Sequence, residues 1–387
     1  MSRPREADLP GTPEGGLSVA VVLEQALAPV PGGTGRYAVE VAGALAQTAR
    51  EGDRVTGWTA WHRDVAAAQL AGVAGPRRFP LPRRGLIEVW GRAPRPRFRR
   101  VDLVHAPTLL APLGGRVPVV VTVHDAVPWT HPETLTPRGV RWHRHMVGRA
   151  AHEAAAIVVP TRAVATELAR HLPVRCPVVV VGEGVSGRLA RPADADARRA
   201  AHGAVAGGYL LTTATLEPRK GLDVLVRALA SPDAPRLPLL VTGQPGWGDV
   251  DLARLATDAG LPAGRVRALG RVPDADLAAL LDGAAALVVP SRAEGFGLPV
   301  LEGMAAGVPV VTSDDPALVE VGGGAAVVTP VGDADALATA LGRVVADEDL
   351  RRDLVRRGTE RSGDYSWTGA ATRLWELYRE LASPAAG

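Results

Sequence analysis

The chain has 387 residues, more than one hydrophobic core usually serves, so its length favours two domains of ordinary size. Hydrophobic residues make up 47% and charged residues 22%, a balance that is typical of a globular protein and argues against bulk disorder. The net charge is only +3, and the single cysteine, Cys176, excludes an intramolecular disulfide and fits a reducing compartment.

The first sixteen residues are rich in Pro, Gly and charge and lack the apolar core of a signal peptide. We expect residues 1–16 to be a disordered leader. No apolar run approaches the length needed to cross a bilayer, so we expect a cytoplasmic protein.

From Leu17 onward, short apolar runs alternate with amphipathic stretches, as strands and helices do. The run 17–23 predicts a first strand, after which a Gly-rich turn leads to a predicted helix over 37–49. Further strands are predicted over 101–105, 117–123, 156–159 and 177–181, with helices over 138–153 and 161–171. Near-continuous apolar strands favour a parallel sheet covered on both faces.

Between residues 182 and 208 the composition shifts to Gly, Ala, Asp, Arg and Pro, which predicts a boundary between domains 17–185 and 186–365. In the second domain strands are predicted over 209–213, 237–242, 266–269, 286–289 and 308–312, with helices over 249–260, 274–283 and 299–306 and from 333 and 347. A final helix, 367–381 within the segment 366–387, is expected to pack back across the boundary. The predicted fold class is α/β, with two Rossmann-like, doubly wound parallel sheets facing a central cleft.

The segment 288–311, VVPSRAEGFGLPVLEGMAAGVPVV, carries the most chemical information. A buried strand ends at Pro290, Pro299 suits the first helical position, and Gly307 can cap the far end of the helix. Glu302 is then expected in the first helical turn, where the helix dipole favours a carboxylate by roughly 0.3–1 kcal/mol.

The loop before that helix has features of a ligand site. Gly295 and Gly297 let the backbone approach a ligand closely, and amides at a helix start suit a phosphate. Glu294 and Glu302 can accept hydrogen bonds from sugar hydroxyls. The simpler alternative is a strand-to-helix turn with a stabilising glutamate.

A second candidate site is the segment 215–221, TLEPRKG, at the end of the first strand of the second domain. Adjacent Arg219 and Lys220 at a strand terminus can neutralise a diphosphate, as preorganised cations do where leaving-group charge develops. Basic residues in a loop are commonplace, so this segment indicates a ligand site only in combination with the segment 288–311.

Two segments of the first domain also stand at the ends of predicted strands, as the segment 215–221 does in the second domain. The segment 31–37, PGGTGRY, follows the first strand, but its spacing is not the GxGxxG of a dinucleotide site, which argues against NAD. His124 and Asp125 end the strand 117–123 at the same cleft edge. The alternative for His124 is a histidine held by local hydrogen bonds.

Arginine is concentrated between Arg77 and Arg100, among the large apolar residues Phe79, Ile87, Val89, Trp90 and Phe98. This stretch is interpreted either as an ordinary solvated loop or as a peripheral contact with a membrane or a lipid-linked acceptor. Nucleic acid is not an expected partner.

Four Asp-x-Asp pairs suggest a metal site at first sight: Asp194/Asp196, Asp249/Asp251, Asp274/Asp276 and Asp333/Asp335. Most precede predicted helices, where Asp serves as an N-cap. No bound metal is therefore predicted.

Together these segments resemble glycosyltransferase family 4, a retaining family of GT-B fold, over nearly the whole chain from Leu17 to about Leu381. The segment EGFGLPVLE, Glu294–Glu302, matches the family's Glu-x7-Glu motif. Supporting matches in the family's order are GGTGRY (32–37), VHD (123–125), TLEPRK (215–220), LGRVPDADL (269–277) and YSW (365–367). TLEPRK with EGFGLP resembles a mannosyltransferase-like subgroup.

The resemblance implies that Arg219 and Lys220 bind the diphosphate and that Glu302 binds the ribose hydroxyls. The donor sugar would lie against Glu294 and the backbone of the next four residues, which are Gly295, Phe296, Gly297 and Leu298.

The resemblance further implies that His124 contacts the sugar near its 6-hydroxyl. Gly33 would let the first loop approach the phosphate and acceptor, and Val272 would lie near the base. Where many members carry a phosphate-binding Arg, this chain has Ala214, so Arg219 is expected to supply that charge.

The implied activity is that of a metal-independent hexosyltransferase without a cofactor, which uses a nucleotide-diphosphate sugar as substrate. GDP-mannose is favoured over UDP-sugars, and the acceptor is expected to be a glycan, a lipid-linked compound or a small molecule, with polysaccharide biosynthesis the favoured setting. The alternatives are a nucleotide-sugar epimerase of the same fold and a catalytically silent homologue. A glycosidase is not expected, because Glu294 and Glu302 lie on one turn instead of flanking a scissile bond.

Overall fold

The computed structural model describes residues 15–382. The predicted leader 1–16 therefore lies outside the described residues except for Gly15 and Gly16. The last five residues of the predicted segment 366–387 also lie outside them.

The first sheet has seven strands. They are β1 (Ser18–Val22), β2 (Arg54–Thr59), β3 (Ala74–Arg78), β4 (Leu103–Ala106), β5 (Val119–Thr122), β6 (Ala156–Val159) and β7 (Val178–Val180). Their order across the sheet is β3-β2-β1-β4-β5-β6-β7, with parallel pairing throughout.

The second sheet has six strands. They are β8 (Leu210–Thr213), β9 (Leu239–Thr242), β10 (Val266–Gly270), β11 (Ala286–Val289), β12 (Val310–Ser313) and β13 (Val327–Thr329). Their order is β10-β9-β8-β11-β12-β13, again parallel. The predicted α/β architecture with two doubly wound parallel sheets is confirmed.

Helices connect the strands. Up to the start of the second sheet they are α1 (Gly32–Gln47), α2 (Arg83–Trp90), α3 (Val127–Thr130), α4 (Pro137–Glu153), α5 (Arg162–His171) and α6 (Ala195–Ala201). The others are α7 (Leu222–Ala228), α8 (Leu252–Asp258), α9 (Asp274–Asp282), α10 (Leu298–Ala305), α11 (Pro316–Gly322), α12 (Ala334–Ala346), α13 (Glu348–Ser362) and α14 (Trp367–Ala382). None of the helices within 15–382 is both long and apolar enough to span a membrane.

The central strands form because their residues are apolar on both faces. Every residue of β1, β4, β5 and β6 is buried, as is every residue of β9, β11 and β12. Helices on both sides of each sheet cover these strands. In each sheet the chain reverses its winding direction beside the first strand, β1 or β8, so the loops that follow these strands open a crevice.

The last helix, α14, lies against α1 of the first sheet. Trp375 Nε1 donates to the carbonyl of Leu45 at 3.1 Å, and the hydroxyl of Tyr378 lies 2.6 Å from Nδ1 of His105. The chain thus returns from the second sheet to the first. The division at 185/186 stays a prediction and falls between β7 and β8.

The prediction for the segment after β1 was wrong in one respect. The Gly-rich stretch is not a turn before the helix, because α1 begins at Gly32. Gly35 packs there with its Cα against Pro31, where a Cβ would lie 2.5 Å from the Pro31 side chain. Small residues let this first turn form close to the preceding loop.

The aromatic residues of the arginine-rich stretch belong to the core. Phe79, Trp90 and Phe98 are each at most 7% exposed and pack with Trp58 and with one another. These aromatic side chains therefore do not lie on the surface that the arginines form, and the membrane contact stays a prediction. The exposed arginines of this stretch are Arg78, Arg84, Arg92, Arg95, Arg97, Arg99 and Arg100.

Candidate active site

The carboxyl edges of the two sheets enclose a cleft of about 750 Å³. All predicted site residues line it: Gly33, His124, Arg219, Lys220, Val272, Glu294, Gly295, Phe296, Gly297, Leu298 and Glu302. Ligands of doubly wound sheets bind at this edge, which makes the cleft the candidate active site. The role of each residue stays a prediction.

The turn after β8 carries the two adjacent cations. Residues Pro218–Lys220 form a single 3-10 turn that ends at Gly221, which has φ of 64°. A Cβ on Gly221 would lie 2.0 Å from the carbonyl oxygen of Pro290, so glycine lets this turn touch the loop after β11. That contact brings Arg219 and Lys220 beside Glu294.

The carboxylate of Glu294 accepts hydrogen bonds from three side chains. Lys220 Nζ donates at 2.6 Å, Arg219 Nη1 at 3.0 Å and Ser291 Oγ at 2.7 Å. Burial raises the pKa of Glu294, but Lys220 and Arg219 outweigh burial and lower it to about 2. Burial, together with repulsion from Arg219, lowers the pKa of Lys220. An ionised carboxylate thus sits between two cations.

Arg292 ties the cation-bearing turn to the loop that carries Glu294. Its guanidinium donates to both carboxylate oxygens of Asp223 at 2.8 and 2.7 Å, and also to the carbonyl of Pro218 at 2.7 Å. Its backbone N–H donates to the carbonyl of Arg219 at 2.8 Å. A planar bidentate pair fixes orientation as well as distance, so Arg292 sets where the cations lie relative to Glu294.

Glu302 lies in the second turn of α10, not in the first as predicted, because α10 already begins at Leu298. The helix dipole acts mainly within the first turn, so it is not the main partner of this carboxylate. Arg36 of α1 donates through Nη1 to Glu302 Oε1, and its Nη2 lies 3.9 Å from Asp274. Burial raises the pKa of Glu302, although the ion pair with Arg36 opposes this.

The loop before α10 touches the first sheet. A Cβ on Gly295 would lie 1.7 Å from the carbonyl oxygen of His124, and Thr161 Oγ1 donates to the carbonyl of Gly295 at 2.9 Å. Gly297 has φ of 93° and is the N-cap of α10. The side chain of Phe296 packs into the core against Tyr365, so at this position the backbone faces the cleft.

His124 is held by groups on both ring nitrogens. Nε2 lies 2.8 Å from the carbonyl of Pro107, and Nδ1 lies 3.7 Å from Oε1 of Glu183. Burial lowers the pKa of His124, but contact with Glu183 and Pro107 outweighs burial, and the net direction is upward. The alternative of a locally held histidine and the predicted ligand contact are compatible, because His124 also lines the cleft.

Gly33 faces open space in the cleft. A Cβ placed on it would meet no atom within 4 Å. The room in front of the first turn of α1 is thus available to a ligand. Val272, between β10 and α9, borders the opposite part of the same cleft.

Sequence reasoning missed three residues that organise the cleft: Arg36, Glu183 and Arg292. Arg36 stands in the matched motif GGTGRY and Arg292 in the segment 288–311, so their position offered a signal. The sequence had no signal for the partners of these residues, since Arg36 is 266 residues from Glu302. Glu183 lies in the composition break and carried no local pattern.

The Asp-x-Asp pairs serve other contacts. Asp251 and Asp333 cap α8 and α12, each accepting a backbone N–H three residues on. Asp276 accepts from Arg198 at 2.7 Å and contacts His202 at 3.0 Å. Across residues 15–382, no three or more His, Cys, Asp or Glu gather as metal ligands would.

Two family models match consecutive parts of the chain. The model for Glycosyltransferase Family 4 matches residues 31–186, and the model for Glycosyl transferases group 1 matches residues 194–361. Together they cover both sheets and the cleft between them. The chain belongs to glycosyltransferase family 4.

Relatives of known function match this family 4 chain over part of their length. O-antigen chain mannosyltransferase B of Escherichia coli is 38% identical over 177 residues, which is 45% of this chain and 46% of that protein. Phosphatidyl-myo-inositol mannosyltransferase of Mycolicibacterium smegmatis is 37% identical over 171 residues, or 43% of each chain. The match therefore spans less than half the length of these two relatives.

Solved structures share the fold over most of the chain. A sucrose-phosphate synthase from Thermosynechococcus elongatus superposes with a TM-score of 0.74 over 94% of this chain and 99% of its own, at 23% identity. The family 4 chain has the GT-B fold, with two Rossmann-like units facing one cleft.

Proposed function

We propose that this family 4 glycosyltransferase is a metal-independent, retaining hexosyltransferase. It takes the sugar from a nucleotide-diphosphate donor, with GDP-mannose favoured over UDP-sugars, and passes it to a glycan, a lipid-linked compound or a small molecule. The observation that carries the proposal is the cluster of Arg219, Lys220 and Glu294 at the edge of the cleft.

The two cations suit a departing nucleoside diphosphate. Arg219 and Lys220 are fixed by Glu294 before any ligand arrives, so they need little reorganisation as charge develops on the leaving phosphate. In this role they supply the charge that a divalent metal provides in other transferases, which is why no metal is included. Glu302 binds the ribose hydroxyls, and the backbone of Gly295 to Leu298 borders the sugar.

The reaction proceeds on one face of the sugar. The bond between the anomeric carbon and the phosphate oxygen breaks, and the acceptor hydroxyl oxygen bonds to the same carbon from the same side. The departing phosphate oxygen takes the acceptor's proton, and the anomeric configuration is retained. No protein nucleophile takes part, in keeping with a Glu294 carboxylate that is already engaged by three donors.

Mannose is favoured because both relatives compared above are named mannosyltransferases. Those names state no nucleotide, so the preference for GDP rests on the TLEPRK resemblance, with UDP next. A peripheral membrane contact through the arginines of the 77–100 stretch is part of the proposal, placing the enzyme at the inner membrane face with its acceptor.

Thermal stability with GDP, UDP, ADP and dTDP, each with and without EDTA, tests the proposal. A ligand at a hundredfold its dissociation constant stabilises a protein by about 2.7 kcal/mol, which shifts the melting temperature measurably. Stabilisation by one diphosphate, unaffected by EDTA, is the expected result and identifies the base. No shift with any diphosphate favours the silent homologue. Product analysis without acceptor separates an epimerase, which alters the donor alone.

A further inference from the structure

The start of α5 is capped by residues from both units. Thr161, the N-cap of α5, accepts the N–H of Val164 through Oγ1 at 3.2 Å. The N–H groups of Arg162 and Ala163 donate instead to the two carboxylate oxygens of Glu320, each at 2.9 Å. The first N–H groups of a helix have no partner within the helix itself. The first unit thus satisfies one of these three groups, and α11 of the second unit satisfies the other two.

A carboxylate suits this position for two reasons. It lies at the positive end of the helix dipole, where a negative charge is favoured. It also accepts both N–H groups at once, whereas the first turn of α5 has no acidic residue of its own. Glu320 therefore supplies a charged cap that the first turn of α5 lacks.

The same helix start also holds the loop of residues 294–298, called the donor loop because the proposed sugar lies against it. Thr161 Oγ1 donates to the carbonyl of Gly295 at 2.9 Å, and Thr161 is 1% exposed. Gly295 also packs against the carbonyl of His124, where a Cβ would lie 1.7 Å from the oxygen. Residues 161–163 of the first unit therefore receive both the donor loop and Glu320.

Helix α11 connects Glu320 to the donor loop. Asp315, the N-cap of α11, accepts the N–H of Glu294 at 3.3 Å. A Cβ on Gly297 would lie 2.3 Å from Cδ2 of Leu318, so the backbone of the loop packs directly against α11. A displacement of α11 is thus passed on to the donor loop.

Arg361 of α13 fixes the end of α11 that carries Glu320. Its Nη2 donates to the carbonyl of Glu320 at 2.7 Å, and its Nε donates to the carbonyl of Val321 at 3.0 Å. The guanidinium also lies over the ring of Tyr365, 4.9 Å from the ring centroid. Glu320 therefore presents its carboxylate to α5 from a fixed backbone.

We propose that Glu320 is a positioning residue, which docks α11, and with it the donor loop, onto the start of α5 in the first unit. This rests on the proposed function, since the position that it sets is that of the transferred sugar between the donor loop and His124. The Arg219–Lys220–Glu294 cluster lies within the second unit, so the position of the diphosphate does not depend on Glu320.

Calorimetric titration with GDP and with GDP-mannose, without acceptor, tests this on the wild type and on Glu320→Gln. If the wild type binds UDP instead of GDP, the pair is UDP and UDP-glucose. A glutamine keeps the size of the side chain but accepts only one of the two N–H groups, because its amide nitrogen faces the other. Glu320→Gln is expected to bind the diphosphate as the wild type does and the sugar nucleotide about tenfold more weakly, because the sugar loses contacts with the first unit.

Small-angle X-ray scattering without ligand measures the docking itself. Glu320→Gln is expected to have a larger radius of gyration than the wild type, because the two units are held together less firmly. If the wild type binds no nucleoside diphosphate, the proposed function is removed and the scattering decides the docking by itself. An unchanged radius of gyration then overturns the docking, and a larger one supports it.

Glu167→Gln is the matched control, because Glu167 lies on α5 and pairs with Arg170 and His171 of the same helix. It is expected to leave both affinities and the radius of gyration unchanged. If Glu320→Gln keeps the wild-type affinity for the sugar nucleotide, Glu320 has no positioning role. Equal weakening of diphosphate and sugar nucleotide overturns the role as well, because it shows a general disturbance of the cleft.

Discussion

Glu294 and Glu302 stand at the two ends of one short segment and are both buried, yet their surroundings differ. Glu294 is held by Lys220, Arg219 and Ser291, all from the second sheet and its loops. Glu302 is held by Arg36, which comes from α1 beside the first sheet. The pKa of Glu294 is lowered to about 2, whereas that of Glu302 is raised.

The difference shows that one motif can supply two kinds of part to a site. The contacts of the fixed part are complete without a ligand, whereas those of the exchangeable part can be replaced by a ligand. The Glu294 cluster is complete within one unit, so the proposed diphosphate site is preorganised. The Glu302 end depends on contact between the two units, and a ribose hydroxyl bound there as proposed would have to share Glu302 with Arg36 or displace Arg36. Four predictions test this contrast.

Removing a cation from the fixed end is expected to have the largest effect. Lys220→Ala should raise the activation barrier by about 3 kcal/mol, because it removes one stabiliser of leaving-group charge. Turnover with saturating donor measures this, and circular dichroism should show an intact fold. Arg254→Gln, which removes an exposed cation on α8, is the control. Near-normal turnover in Lys220→Ala contradicts the role.

The two glutamates should have opposite effects on stability as a function of pH. The lowered pKa of Glu294 contributes stability that is present above its unfolded value of 4.5 and is lost as pH falls towards about 2. The raised pKa of Glu302 makes stability fall as pH rises above its unfolded value of 4.5.

Chemical denaturation of Glu294→Gln and Glu302→Gln between pH 3 and 7, compared with the wild type, separates the two. Glu294→Gln should lose less stability on acidification than the wild type does. Glu302→Gln should lack the decline above pH 4.5. If the stability of both variants depends on pH in the same way, the environments of Glu294 and Glu302 do not differ as described.

Arg36→Gln probes the exchangeable end. Breaking a buried ion pair is costly, but Arg36 is 30% exposed, so the expected loss of unfolding free energy is about 1–2 kcal/mol. The double variant Arg36→Gln/Glu302→Gln should recover part of this loss, because no buried charge is then left alone. Arg373→Gln breaks an exposed pair and is the control. Strict additivity in the double variant argues against the pair.

Arg292→Lys should have the smallest effect. It keeps the charge but not the bidentate contact with Asp223, so the cations lose some of their positioning. We expect kcat to fall about tenfold, which corresponds to about 1.4 kcal/mol of activation barrier, with little change in KM or stability. In Asp223→Asn, kcat should fall less than in Arg292→Lys. In the double variant, the loss of kcat should be smaller than the two single losses combined. A change in KM alone places Arg292 in substrate binding instead.

Much of the fold was predictable because strand and helix patterns are local. The apolar runs of β6 and β11 predicted their bounds without error, since every residue in these strands is buried. Strand β3 was missed because it is an edge strand of sequence AGPRR with little burial. The helices α7 and α11 were also missed.

The sequence by itself determined two parallel sheets, the family, and the segments that meet in the cleft, because carboxyl ends of parallel strands always share one edge. Only the tertiary structure decided which charges neutralise each other. It paired Arg36 with Glu302, put Arg219 and Lys220 on Glu294, left Glu183 facing the cleft, and drew Phe79, Trp90 and Phe98 into the core. Such pairings depend on packing between segments far apart in the chain, which local patterns do not specify.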